Sequence, residues 1–168
     1  MRRLIVLSAP PGSGKSTLAN AYKKHYLNTK IISSDEIRFE LTSCYNDFSR
    51  QKEVWEIFNK RIVEYSKEED VTVVLDALID LNSLRKEYVE LGKDYDIKIL
   101  VIIRKPLEMI LETNRTRRTE KIVPEQIVVD YYNKFEMPTD EVLALFDDYI
   151  YIDKYFAKDE VEKLLKLD

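Results

Sequence analysis

Short, continuous apolar runs alternate with amphipathic stretches along this chain, and that alternation constrains the fold more than any other feature. Five runs read as strands: Leu4–Leu7, Lys30–Ser33, Val71–Leu75, Ile97–Ile103 and Tyr149–Ile152. They do not alternate apolar with polar, so both faces of each strand must be covered. The stretches between them carry helical spacing. Lys15–Tyr26 puts Leu18, Ala19, Tyr22 and Tyr26 on one side, and a second helix starts near Asp35. Gln51–Lys67 repeats Val54, Trp55, Phe58, Ile62 and Tyr65 at helical intervals. Asn82–Gly92 is helical, with Gly92 as its C′ stop. Further helices are predicted over Leu107 to about Thr116, Pro124 to about Phe135, and Ala157–Leu167. Strand and helix in strict alternation build βαβ units. The expected fold is therefore α/β: a five-stranded, mostly parallel sheet with helices on both faces, one domain over residues 1–168. Ligands of such sheets bind at the carboxyl ends of the strands.

Composition excludes several classes of function. The net charge of −4 rules out a uniformly basic protein that coats nucleic acid, though not a local basic patch. No apolar run approaches the roughly 18 residues of a membrane span. The opening Met1-Arg2-Arg3 and its short apolar stretch end at Pro10-Pro11, too soon for a signal peptide. A cytoplasmic protein that does not enter membranes is expected. One cysteine, Cys44, and one histidine, His25, exclude a Cys/His zinc site and an internal disulfide. Cys44 is expected to be small and partly buried. There are three glycines in the whole chain, and two of them, Gly12 and Gly14, stand together after the first strand.

That pair lies in Ala9-Pro10-Pro11-Gly12-Ser13-Gly14-Lys15-Ser16-Thr17, between the first strand and the first helix. The stretch is a Walker A phosphate loop, with Ala9 where the pattern begins with glycine. Gly12 and Gly14 let backbone N–H groups, Ser13 among them, turn inward and approach phosphates. The helix N-terminus adds partial positive charge. Lys15 is expected to reach the β- and γ-phosphates, Ser16 to ligate Mg²⁺, and Thr17 to donate to the α-phosphate. Ala9 fits its position if its φ is negative.

Two further segments select among phosphate-loop proteins. No guanine-reading N-K-x-D motif is present, and no acidic pair follows the strand ending at Asp76. Asp35 lies just beyond the second strand, where an acceptor would sit, and a carboxylate there can take the proton of an attacking hydroxyl. Arg38 is one helical turn on. Asn114-Arg115-Thr116-Arg117-Arg118-Thr119-Glu120-Lys121 is the densest basic run in the chain. An arginine-rich lid over about 112–124 would stabilise a transferring phosphoryl group and exclude water.

Four blocks in order resemble the 5′-kinase domain of polynucleotide kinases: P-G-S-G-K-S-T at 11–17, D-x-x-R from Asp35 to Arg38, the strand ending at Asp76 followed by Leu81-Asn82, and R-R-T-E-K-I-V-P at 117–124. The resemblance implies a P-loop kinase that uses ATP and Mg²⁺. It implies Asp35 as general base and Arg38 on the phosphoryl group or an acceptor phosphate. It also implies Asp76 near the acceptor or a metal-bound water, and Arg118 as a lid arginine. Where that family has a second lid arginine this chain has Asn114, and Arg115 is expected to substitute at the nucleotide. The implied acceptor is the 5′-hydroxyl of a polynucleotide. A small-molecule or nucleotide kinase, or a non-catalytic nucleotide-binding switch, are the alternatives. Phe39, Tyr45, Phe48 and Trp55 stand near the acceptor side, where an aromatic ring can stack on a base. Trp55 and Phe58 are also expected in the core of their own helix.

Overall fold

The computed structural model describes residues 1–167. Its strands are β1 (Arg2–Ser8), β2 (Thr29–Ser33), β3 (Val71–Asp76), β4 (Ile97–Ile103) and β5 (Asp148–Ile152). They form one sheet in the order β2-β3-β1-β4-β5, and every pairing is parallel. The central strand shows why its residues belong there. Leu4 through Leu7 are fully buried, and successive side chains enter opposite layers. Leu4 and Val6 join one core with Phe58, Ile62 and Tyr88, while Ile5 and Leu7 join a second with Leu18 and Tyr22.

The helices supply those layers. They are α1 (Lys15–His25), α2 (Ser34–Thr42), α3 (Gln51–Tyr65), α4 (Asn82–Leu91), α5 (Leu107–Arg115), α6 (Glu125–Lys134), α7 (Asp140–Leu143) and α8 (Val161–Leu164). Phe58 is core, as its spacing predicts, and Trp55 is half-buried against that core. Among the described residues no helix is long and apolar enough to cross a membrane.

Two local expectations are corrected, and one short element is unexpected. The predicted closing helix over 157–167 is a 3₁₀ turn at Lys158–Glu160 followed by the single turn of α8. Lys166 adopts a left-handed φ of 57°, and Leu167 N–H returns to Glu162 O at 2.9 Å, which stops the helix early. The four-residue α7, capped by the Thr139 side chain, is too short to carry a periodic signal. Cys44 is exposed, not partly buried.

Gly92 does follow α4, but its φ of −93° is open to any residue. Glycine is there for space: a Cβ would collide with the side chain of Leu4 and lie 3.0 Å from Tyr88 O. Leu4 is fully buried and cannot swing clear. Gly92→Ala is therefore expected to destabilise the fold by about 1–3 kcal/mol, as overpacking does. A lower urea midpoint at unchanged m-value would show it.

Candidate active site

The sheet register assembles the site. Leu7 pairs with Asp76 across β1 and β3, and Ser33 pairs with Asp76 across β2 and β3. The chain leaving β1, the end of β3 and the start of α2 therefore meet at one carboxyl edge.

After β1 the backbone curls through Gly12 at φ 79° and Gly14 at φ 89°. These are left-handed values that favour glycine. The only non-glycine residues with positive φ among those described are Ser43 and Lys166, so Ala9 keeps an ordinary backbone and is fully buried. That accounts for alanine at the first position of the Walker pattern. Ser13 Oγ donates to Pro10 O at 2.7 Å inside the loop, and Lys15 Nζ reaches across it to Ala9 O at 3.5 Å. Beneath the loop, the fully buried Arg85 donates to Ser8 Oγ from Nε (3.0 Å) and Nη2 (2.9 Å), and Ser8 Oγ donates to Ile79 O. Burial lowers the Arg85 pKa to about 10. No sequence pattern marked Arg85, because its partner lies 77 residues away.

Ser16 Oγ donates to Asp76 Oδ2 at 3.2 Å, which puts two oxygens beside the loop. Burial pushes the Asp76 carboxyl above the usual range, and the nearby Lys15 ammonium opposes that shift. Burial likewise lowers the Lys15 ammonium, with Asp76 and then Asp35 opposing. Hydroxyl and carboxylate oxygens suit a hard divalent cation that keeps waters and phosphate oxygens as its other ligands. Ser16 and Asp76 therefore fit Mg²⁺ held with a nucleotide. Among the described residues no cluster of three or more His, Cys, Asp or Glu could hold a metal by itself.

At the end of β2, Ser33 caps α2 by accepting from Glu36 N at 3.3 Å, so Asp35 is not the cap. Arg38 is only 5% exposed, and its Nη1 donates to Asp35 Oδ1 at 2.8 Å. Nε donates to Gln51 Oε1 at 2.8 Å, and Nη1 also reaches Tyr45 O at 3.3 Å. Gln51, 13 residues along, had no local signal.

The lid is placed differently from expectation. Arg115 does not line the phosphate-loop cavity: it pairs with Glu125 at 2.6 Å. Arg118 lies by Tyr45 Oη at 3.5 Å and Glu120 at 3.4 Å, away from the cavity wall. Arg117, from the same basic run, lines the cavity together with Thr113. A wide arginine run leaves orientation undetermined until the loop is folded. Asn114 is fully buried; it donates to Val123 O at 2.6 Å and accepts from Val123 N at 3.1 Å. It clasps the two ends of the lid together, so this position does not supply an arginine. The lid lands on α2, with Lys121 3.2 Å from Glu36, whose carboxylate also accepts from Tyr45 Oη at 3.1 Å.

Phosphate loop, Asp76, Asp35, Arg38 and Arg117 line one cavity of about 700 Å³. Phe48 and Trp55 also line it, whereas Phe39 stacks on Tyr45 at 4.7 Å.

A family model described as chromatin associated protein KTI12 matches residues 2–144. A curated L-seryl-tRNA(Sec) kinase from Methanococcus maripaludis is 28% identical over 143 residues, 80% of this chain and 53% of that protein. The chain thus spans about half the length of that relative. Among solved structures, Kti12 of Chaetomium thermophilum in complex with ADP-AlF3 is similar at TM-score 0.72 and 15% identity, covering 97% of this chain and 95% of that one. Shikimate kinase from Bacteroides thetaiotaomicron is similar at TM-score 0.64 and 13% identity, over 99% and 96% of the two chains. A gluconokinase from Sinorhizobium meliloti 1021 reaches 0.63 at 18%, over 97% and 89%. The fold is that of P-loop kinases, and the matching family is narrower than the motif blocks and different from the polynucleotide kinases they resemble.

Two measurements probe this geometry. Folding lowers the Lys15 pKa, so the native state holds that proton less tightly than the unfolded chain, and the charge costs stability at neutral pH. That cost is relieved only as pH rises through the lowered value. Lys15→Met should hold or raise the thermal midpoint at pH 7 while weakening binding of a nucleoside triphosphate. Asn114→Ala should cost about 1–3 kcal/mol in urea unfolding, because it leaves the Val123 N–H and C=O without partners.

Proposed function

The chain belongs to the KTI12 family, and from that premise we propose that it transfers the γ-phosphoryl group of ATP to an alcohol carried by a nucleic acid. The observation that carries this reading is a single cavity that holds both a phosphate loop and the Asp35–Arg38 pair. Phosphoryl transfer needs little covalent chemistry from a protein; it needs positioning and stabilisation of charge.

Asp35 takes the proton of the acceptor hydroxyl. Arg38 binds its Oδ1 and leaves Oδ2 for that proton. The alcohol oxygen then forms a bond to the γ-phosphorus as the bond to the β–γ bridging oxygen breaks. ADP leaves with the electron pair, and Asp35 carries the proton away. Backbone N–H groups of Gly12, Ser13 and Gly14, with Lys15 and Thr17, hold the phosphates through this step. Arg117 lies on the cavity wall where charge spreads over the transferring group, and Arg118 serves as a lid arginine that can swing inward from Tyr45. Mg²⁺, held by Ser16 and by Asp76 directly or through water, would neutralise phosphate charge.

Two acceptor hydroxyls have support. The D-x-x-R and lid blocks support a polynucleotide 5′-hydroxyl. The curated relative's name supports a seryl hydroxyl on a tRNA. Transfer of labelled γ-phosphate from ATP should be measured on 5′-hydroxyl DNA, 5′-hydroxyl RNA, seryl-tRNA, nucleosides and small polyols. Asp35→Asn and Arg38→Ala are each expected to lower transfer about 10²- to 10⁴-fold. Near-normal transfer by both variants on every accepted substrate would remove these residues from the chemistry. ATP hydrolysis that no acceptor accelerates would favour a nucleotide switch instead.

A further inference from the structure

Large apolar side chains exposed to solvent are scattered on most proteins, but here four of them converge. Phe48 (58% exposed), Ile122 (38%), Ile127 (42%) and Tyr131 (36%) all line the cavity described above, together with half-buried Trp55. They come from separate segments: the α2–α3 connection and α3 on one side, the lid and α6 on the other. A converging apolar patch marks a binding surface rather than an incidental exposure.

Most charged groups of the same cavity already hold one another, while Asp35 keeps one oxygen for the acceptor. Asp76 accepts from Ser16, and Lys15 spans the phosphate loop. Asp35 and Arg38 bind each other, and Arg38 gives its Nε to Gln51. The Arg38 guanidinium also lies 4.4 Å from the centre of the Phe48 ring, fixing that ring beside the Asp35–Arg38 pair. A polyhydroxylated acid lying along Ile122, Ile127 and the ring face of Tyr131 would set hydroxyls against carbon there, which is costly. A flat heteroaromatic ring has the opposite requirement: apolar faces above and below, with its sugar and phosphate at the charged end.

We propose that the acceptor half of the cavity is a stacking slot for a nucleobase, formed by Phe48 and Trp55 on one side and Tyr131 on the other, so that the base flanking the reacting hydroxyl selects the acceptor. The inference rests on the phosphotransferase reading for its purpose, but not for its detection. Stacking on aromatic side chains binds any base, because every base has a π-face. The slot therefore selects nucleic-acid alcohols as a class over polyols, with little preference among bases.

Trp55 is the only tryptophan in the chain, so its fluorescence reports the slot directly. The protein is first saturated with ADP and Mg²⁺ to fill the nucleotide side. It is then titrated with a 5′-hydroxyl trinucleotide, with the same trinucleotide bearing an abasic 5′ residue, and with gluconate. The base-bearing ligand is expected to quench Trp55 saturably, and the abasic one to bind about tenfold more weakly. Phe48→Ala, at an exposed position that tolerates truncation, should remove about tenfold in affinity for the base-bearing ligand and leave the abasic ligand unchanged. Tyr131→Ala should repeat that pattern. Equal binding of base-bearing and abasic ligands, or gluconate binding as tightly as either, overturns the slot. The two readings fail separately. Base-dependent quenching without transfer to any alcohol would sink the phosphotransferase and keep the slot, whereas transfer to gluconate without base-dependent binding would do the reverse.

Discussion

The parallel pairing of β1 with β3 is the interaction on which everything else depends. It sets Leu7 opposite Asp76, so the chain leaving β1 begins its turn beside a half-buried carboxylate. A slip of one residue would invert every side chain of β3 between the two cores. It would also carry Asp76 away from Ser16. Burial of Leu4–Leu7 on both sheet faces, with Val73 and Leu75 in one core and Val74 in the other, therefore fixes the position of a charge that burial alone disfavours.

The same logic explains how the cavity combines opposed demands. Desolvation lowers Lys15 and raises Asp76, and each opposes the shift of the other. Neither would remain charged so easily without its neighbour. Asp35 enters the balance of both from α2, a different element. The electrostatics of the phosphate side and of the acceptor side are consequently one system, although β2 and β1 are not adjacent strands.

Much of this was legible in the sequence because its signals are local. Continuous apolar runs specified the strands, although the edge strand β5 leaves Tyr149 and Tyr151 exposed on one face, and the glycine pair with Lys15 specified the loop. The spacing of Asp35 and Arg38 survives as a direct 2.8 Å contact. What was not legible depends on distance along the chain. Arg85 and Ser8 meet from different elements, and Gln51 reaches Arg38 from another helix. In the lid, three arginines in four positions cannot share one face, and only the folded loop shows that Arg117 turns inward while Arg115 binds Glu125. The resemblance read Asn114 as a lost arginine. Its two hydrogen bonds to Val123 give it a different task.

Gly12 carries a consequence beyond its dihedral angle. A Cβ there would meet Ile110 O at 3.1 Å and Asn114 Cβ at 3.3 Å, so the phosphate loop rests directly on the helix that leads into the lid. The loop is braced from behind by backbone, with no room to relax in that direction. Its concave shape is thus set when the chain folds rather than when a phosphate arrives. A ligand that enters finds donors already converged and surrenders little conformational freedom in gathering them, which is how a preorganised receptor gains affinity without adding a contact.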